Sequence, residues 1–442
     1  MFRNIQQKNA KLLLCIAALL ILSALFFYNR YAQKQEQLVI RLGLFSGSNW
    51  NVPSGDSYAA IDNAIKNFEN IHPNVKITYV SGIRKQDYAE WLAEKVLDGS
   101  EPDIFMVLSD DFNLYSAMGL LQNLDTLAES DPSFDTDAYY PASLDYGQYK
   151  HSQYALPFES VPTLMFVNKT LLARENIAIP ENGWTWQDFI DICRRVTKDT
   201  DDDGVPDQFG YYDYTWQQAA ASNGMQLFRD DGKFSYFADS KMAETLKFMI
   251  DLKKTNMGHT VTAKDFDMGN VAFRPFTFAE YRTYKPYPWR IKKYSSFEWD
   301  CIEMPAGPSG SNTSELNTLL IGMSSRSSHK KMAWEFLKEL CYSGKTQRFL
   351  PSVSQGVPVI KAAAESDEAR QALLYDAPGD EKMNLSIISN IMQSAVSPPK
   401  FQKYSLAMLM ADSEIKKIID EIIPFNNALN KIQKKINDFL QN

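Results

Sequence analysis

Leu38–Phe45 reads LVIRLGLF, and the segments that follow it decide the fold. Apolar and polar side chains alternate there as on a half-buried strand. Residues 57–71 (SYAAIDNAIKNFENI) then carry apolar side chains at helical spacing, until His72-Pro73 stops the helix. Residues 74–80 (NVKITYV) predict a second strand and residues 85–98 a second helix ending at Gly99. Asp103–Leu108 (DIFMVL) predicts a buried strand. Strand and helix alternate throughout, so the expectation is an α/β fold with a parallel sheet and helices on its faces.

Further along, Leu156–Asn168 (LPFESVPTLMFVN) predicts an extended crossing segment. Helical patterns cover Trp186–Val196 and Ser240–Lys254. Leu316–Met323 predicts another strand, and Lys330–Tyr342 a helix behind it. Ser413–Leu440 reads as amphipathic helix broken at Pro424. Internal repeats and low-complexity stretches are absent from the sequence.

Upstream of the first strand, Leu12–Tyr28 (LLLCIAALLILSALFFY) contains no charge, Gly or Pro. As a helix it spans about 26 Å, enough for a bilayer core. Three readings stay open: an uncleaved signal anchor, a cleaved secretory signal and a buried helix. A cleaved signal needs a small-x-small site. The nearest small residue after the run is Ala32, with Arg30 two positions before it, so the anchor is favoured. Cys15 lies four residues after Lys11 with most of the run behind it, which argues against lipidation there. Arg3, Lys8 and Lys11 hold the N-terminus in the cytoplasm, leaving the C-terminal mass extracellular or periplasmic. Residues 1–34 are thus read as cytoplasmic tail and membrane anchor.

The chain has 442 residues, enough for two domains, and a net charge of −8. Residues 1–34 hold basic residues and no acid, so the exported part is more acidic than the whole. That balance excludes nucleic acid as the main ligand. Cys193, Cys301 and Cys341 are too scattered for a disulfide framework or a CxxC metal site and read as buried free thiols. His72, His151, His259 and His329 form no HExxH or HxH pair. Aromatic residues make up 13% of the chain, which suits a surface that stacks on sugar rings. No organic cofactor is expected.

Ligands of open α/β sheets bind beyond the carboxyl ends of the strands. The loop after the first strand, Ser46-Gly47-Ser48-Asn49-Trp50, offers hydroxyls, an amide and an indole. Asn49 and Trp50 are its candidate ligand contacts. The loop after DIFMVL is Ser109-Asp110-Asp111, whose carboxylates suit vicinal hydroxyls; a helix N-cap is the competing reading. Trp216 closes the aromatic stretch from Tyr211, and Trp289, Tyr294 and Trp299 fall in an aromatic, basic stretch. These four are candidate stacking platforms. Trp184 and Trp186 are read as packing residues. Asn317, at the start of a late strand, is a further candidate.

Asp199-Thr-Asp-Asp-Asp-Gly-Val-Pro-Asp207 places carboxylates at relative positions 1, 3, 5 and 9, with Gly204 at 6. This resembles the start of an EF-hand loop. Asp199, Asp201, Asp203, Asp207 and the carbonyl of Val205 are candidate ligands for a structural Ca²⁺. Position 12 is Gly210 rather than Glu, so the loop is no complete EF-hand.

Several motifs then coincide in order along the chain: FENIHPNVKITYV, DGSEPDIFMV, GLLQNLDTL, ALPFESVPTLMFVNKTLL, GWTWQDFIDICRRVT, AWEFLKEL and QGVPV. Over residues 38–440 the sequence resembles the bacterial extracellular solute-binding proteins of family 1, the maltose-binding-protein-like receptors of carbohydrate ABC importers. The resemblance implies a periplasmic-binding-protein-like two-lobe clamp with hinge strands. Lobe one would hold residues 38–157 plus 310–355, and lobe two residues 160–305 plus 358–442. It also implies that Glu159 faces the cleft. The function it implies is a membrane-tethered receptor that takes a carbohydrate to ABC permease subunits without chemistry. A sugar-sensing co-receptor of a membrane signalling protein is the alternative. A polysaccharide-active enzyme using paired carboxylates such as Asp110 and Glu159 is the third.

Overall fold

The computed structural model describes residues 23, 37–50, 52, 58–284, 297–375, 385–401, 403–425 and 427–442. Apart from Ser23, the Leu12–Tyr28 run and its anchor reading lie outside these residues. Among the described residues no helix is long and apolar enough to cross a membrane.

The opening segments form as read. β1 (Leu38–Gly43), β2 (Val75–Tyr79) and β3 (Ile104–Val107) run parallel, with β1 in the middle. The crossovers are α1 (Ala59–Ile71) and α2 (Lys85–Leu97). Ala60, Ile61, Ala64 and Phe68 make one buried stripe on α1. β3 is buried on both faces, which is why IFMV shows no alternation. Ile104 and Phe105 are 0% exposed, and burial of each is worth about 1.5–3 kcal/mol. Gly43 permits close packing at the end of β1, since a Cβ there would meet Cγ of Pro102 at 2.8 Å.

After α3 (Ser109–Ala117) and the short α4 (Pro141–Asp145) comes β4, the fourteen-residue strand Ala155–Asn168. Next are α5 (Trp186–Val196), β5 (Phe209–Tyr211), α6 (Trp216–Ser222), α7 (Ser240–Lys254), β6 (Val271–Thr277) and α8 (Phe278–Tyr284). β7 (Trp299–Ile302), β8 (Leu316–Met323), α9 (Lys330–Cys341), α10 (Gly344–Val353) and β9 (Val357–Pro358) follow. The chain closes with α11 (Leu385–Ser394), α12 (Tyr404–Ile419) and α13 (Ala428–Gln441). The last two replace the single broken helix read from Ser413 to Leu440: helix already begins at Tyr404, and Pro424 lies in the break. Capping boxes at Thr185/Asp188 and Thr215/Gln218 fix the starts of α5 and α6.

β4 organises the mixed sheet, whose order is β2-β1-β3-β8-β4-β6-β5, with β7 and β9 also paired to β4. Its first half, Ala155–Pro162, pairs antiparallel with β8 and β9. Its second half, Thr163–Asn168, pairs antiparallel with β6 and β7. One apolar core gathers side chains from Ile40 to Phe158 and from Leu319 to Leu350. A second runs from Met165 to Met304 and from Ala407 to Leu440. Where they meet, Val161, Leu164 and Phe166 of β4 pack with Tyr140, Leu316, Val357 and Ile388. Cys193, Cys301 and Cys341 are buried free thiols.

Candidate functional site

β1 and β3 release their chains at the same end of the sheet, and β4 passes that end at Glu159–Ser160. The loop after β1 is anchored there. Ser46 donates through its amide and hydroxyl to the carbonyl of Ile83. The Trp50 amide donates to Ser48 Oγ at 3.0 Å, and its indole Nε1 donates to Oε1 of Glu159 at 3.0 Å. Lys85 Nζ donates to the carbonyl of Asn49. Glu159 is 5% exposed, and its other oxygen accepts from the Ser354 hydroxyl. Burial pushes this carboxyl above its ordinary range, against the opposing pull of Ser354, Trp50 and the Arg282 charge. Asn49, Trp50 and Glu159 thus share one cleft, with Met106 and Phe158 behind them.

Ser109, Asp110 and Asp111 open α3, yet no side chain caps that helix. Ser109 Oγ accepts from the Tyr146 hydroxyl at 3.1 Å. Asp110 Oδ1 accepts from Ser405 Oγ at 3.0 Å. Ser405 lies in the first turn of α12, which packs into the second core, so this bond joins one core to the other. Burial and the neighbouring Asp110 charge push the Asp111 carboxyl up. Burial draws the Lys85 ammonium down, and Asp110 works against it.

Four further residues at this junction carry no local motif. Lys400 Nζ donates to the carbonyls of Asp145 (3.2 Å) and Tyr146, and lies 4.1 Å over the Tyr146 ring. A cation at the carboxyl end of α4 is favourably placed. Burial nevertheless draws Lys400 down to about 7. Glu315, just before β8, is pushed by burial up to about 7, and the Tyr146 phenol up to about 12. Tyr404 completes the group. Pro398-Pro399 ahead of Lys400 was a sequence signal for an extended strap; nothing local marked Glu315.

The sequence profile of the bacterial extracellular solute-binding proteins matches residues 52–340, well over half of the chain. The chain belongs to that family. This solute-binding protein therefore falls among binding proteins rather than enzymes. Its fold is similar to that of an ABC substrate-binding protein from Listeria monocytogenes solved with cycloalternan. That pair is 20% identical with a TM-score of 0.65, over 92% of this chain and 99% of that one. A cyclic alpha-maltosyl-1,6-maltose binding protein from Arthrobacter globiformis gives 0.74 at 16% identity, over 91% and 99%. The sugar-binding protein MalE of Xanthomonas citri gives 0.73 at 13%, over 91% and 97%. In sequence, an uncharacterized lipoprotein of Streptomyces antibioticus is 22% identical over 308 residues. That match spans 64% of this chain and 63% of the lipoprotein.

The remaining expected contacts of the solute-binding protein are dispersed. Trp216 is corrected from stacking platform to core residue. It is 3% exposed, among the side chains of the second core, and its Nε1 donates to Asp412 at 2.9 Å. No ring face remains open for a sugar. Trp299 stacks on Phe166 at 4.5 Å and meets Tyr281 edge-on at 5.1 Å, so much of its ring serves packing. Asn317 is exposed on β8, opposite Val161. Trp289 and Tyr294 lie outside the described residues. Trp184 and Trp186 are buried, as expected of packing residues.

In the acidic loop of the solute-binding protein, Asp199, Asp201 and Asp203 bring carboxylate oxygens within 4.8 Å of one another. Amides of Gly204 (2.7 Å) and Asp203 (3.3 Å) point at Asp199. Three hard oxygen donors suit a calcium ion. Asp207 stands apart, because its carboxylate accepts from the Thr200 amide at 3.1 Å and hydroxyl at 2.7 Å. Val205 turns its amide to Asp203 at 2.8 Å.

Proposed function

We propose that this solute-binding protein captures a sugar or oligosaccharide in the cleft between its two cores and delivers it to an ABC importer. The observation that carries the reading is the Trp50–Glu159 pair, an indole and a carboxylate held together at the carboxyl ends of β1 and β3. Such a site offers what a sugar ring requires, an aromatic face and fixed hydrogen-bond acceptors. Asn49, Ser109, Asp110 and Asp111 add polar contacts along the first wall, with Asn317 and Trp299 on strands beyond. A similar protein solved with cycloalternan, one named for cyclic alpha-maltosyl-1,6-maltose and one named as sugar-binding support the ligand class.

Binding alone is required of these residues. Lobes spanning residues 38–157 plus 310–355 and 160–305 plus 358–442 would turn about β4, the segment before β8, and β9. The Ser405–Asp110 bond already spans the two cores, and in the closed receptor it would help hold the ligand shielded from water. The Leu12–Tyr28 helix would tether the receptor to the cell membrane, its C-terminal mass outside. A calcium ion on Asp199, Asp201 and Asp203 would brace the second lobe at the amino end of β5.

Thermal melting against mono- and oligosaccharides tests the reading. A ligand that binds only the folded state raises the melting temperature. One sugar class giving a saturable rise is the expected result; no rise with any sugar would overturn it.

A further inference from the structure

Arg282 joins the two cores through a buried charge. It lies on α8, whose start is fixed where Glu280 accepts from the Thr277 amide and hydroxyl, each at 2.8 Å. The preceding strand, β6, pairs with the second half of β4 and gives Ala272 and Phe273 to the second core. From there the guanidinium reaches α10, which gives Leu350 to the first core. It donates to the Pro351 carbonyl at 2.8 Å and to the Ser354 carbonyl just past the helix. Intrahelical bonds leave the last carbonyls of a helix open, and a cation is favoured at that end. Arg282 is only 6% exposed.

The turn that Arg282 holds, residues 354–356, forms part of the cleft wall. Ser354 and Gln355 line the same cavity as Asn49, Trp50 and Glu159. The Ser354 hydroxyl donates to Oε2 of Glu159, while the Trp50 indole donates to Oε1. The Gly356 amide turns back to Ser354 Oγ at 3.4 Å, and a Cβ on Gly356 would meet Oε2 of Glu159 at 2.6 Å. The turn therefore lies directly against the carboxylate, and a shift of one displaces the other. A bonded chain runs from Arg282 through Ser354 and Glu159 to Trp50. A planar guanidinium suits its first link, because its rigid fork serves two carbonyls at once. Burial pushes the Glu159 carboxyl up, and the Arg282 charge is among the groups that pull it back toward the acceptor form.

Resting on the receptor reading, we propose that Arg282 is a positioning residue of the sugar site: by holding the 354–356 turn from the second-core side, it sets Glu159 and Trp50 in the geometry that grips the ligand. The test titrates the full chain in detergent calorimetrically with neutral trimers of the gluco, manno and galacto series. R282M, S354A and the double variant are then compared on the trimer bound most tightly. R282M is expected to weaken binding about tenfold, and S354A about fivefold. Because both act through one bonded chain, the double variant should bind no more than about twofold less tightly than R282M alone. R282K keeps the charge but replaces the fork with a point donor; it should lose about threefold, and it carries the test if R282M does not fold. A residue that only stabilised the fold would lower the melting temperature and leave affinity well below that temperature unchanged. Parental affinity in folded R282M, R282K or S354A, or losses that multiply in the double variant, would overturn the proposal and leave the receptor reading standing. No binding of any trimer by the parent would overturn both.

Discussion

The indole of Trp50 donates to the carboxylate of Glu159 at 3.0 Å, tying the loop after β1 to the strand shared by both cores. Trp50→Phe removes the donor and leaves a buried carboxylate oxygen short of a partner. The expected cost is about 1–2 kcal/mol in urea melts. Sugar affinity should fall about tenfold as the loop loses its fixed position. A variant with parental affinity would remove Trp50 from the site.

Trp216 provides a contrast between packing and binding. Trp216→Ala should cost about 3–5 kcal/mol, because the ring is buried and its Nε1 holds Asp412. In Trp216→Phe the melting temperature should drop while sugar affinity stays within about twofold of the parent. A large affinity loss with little change in melting would restore the ligand role expected from sequence.

Glu315 and Lys400 should shape stability around neutral pH in opposite senses. Glu315 is raised from 4.5 to about 7 in the fold, so the folded state holds a proton the unfolded chain has lost. Stability therefore falls as pH rises through that window, and the deficit persists above it. Lys400 is lowered from 10.5 to about 7, so there the unfolded chain binds the extra proton and stability climbs with pH across that window. E315Q should gain about 1–3 kcal/mol over the parent at about pH 8 and nothing near pH 4. K400M should flatten the alkaline arm. Urea melts across pH would show both; parallel curves for parent and E315Q would contradict the first.

Much of the fold was legible because its signals are local. Continuous apolar runs such as IFMV mark strands buried on both faces, and Gly99 and His72-Pro73 punctuate the helices. LPFESVPTLMFVN, read as an extended crossing segment, is the long strand β4. Of the candidate site, Asn49, Trp50, Ser109 and Asp110 were legible because they follow strand ends, and Glu159 because of the family resemblance. Lys400 and Tyr404 come near its first wall only through the long-range packing that the Ser405–Asp110 contact shows, 295 positions apart in sequence. No periodicity records such contacts. Trp216 misled because a polar, aromatic neighbourhood resembles an exposed platform, whereas its helix buries that face under α12. In the acidic loop, spacing placed Asp199, Asp201 and Asp203 together, but Thr200 claims Asp207.

Calcium should raise the melting temperature by a few degrees at millimolar concentration, a saturable effect absent with magnesium. Asp201→Asn and Asp203→Asn should each abolish the rise, while Asp207→Asn should weaken it less. Equal loss from all three would place Asp207 among the ligands after all. No rise in the parent would remove calcium from the account.

The most direct test of the central claim is isothermal calorimetry of the full chain with a saccharide panel, followed by chromatography of the recovered sugar. The account predicts saturable binding of one neutral sugar class, one site per chain, weakened in Trp50→Phe, with the sugar recovered intact. Recovery of shortened sugar, or saturable binding that Trp50→Phe and Glu159→Gln leave untouched, would contradict it.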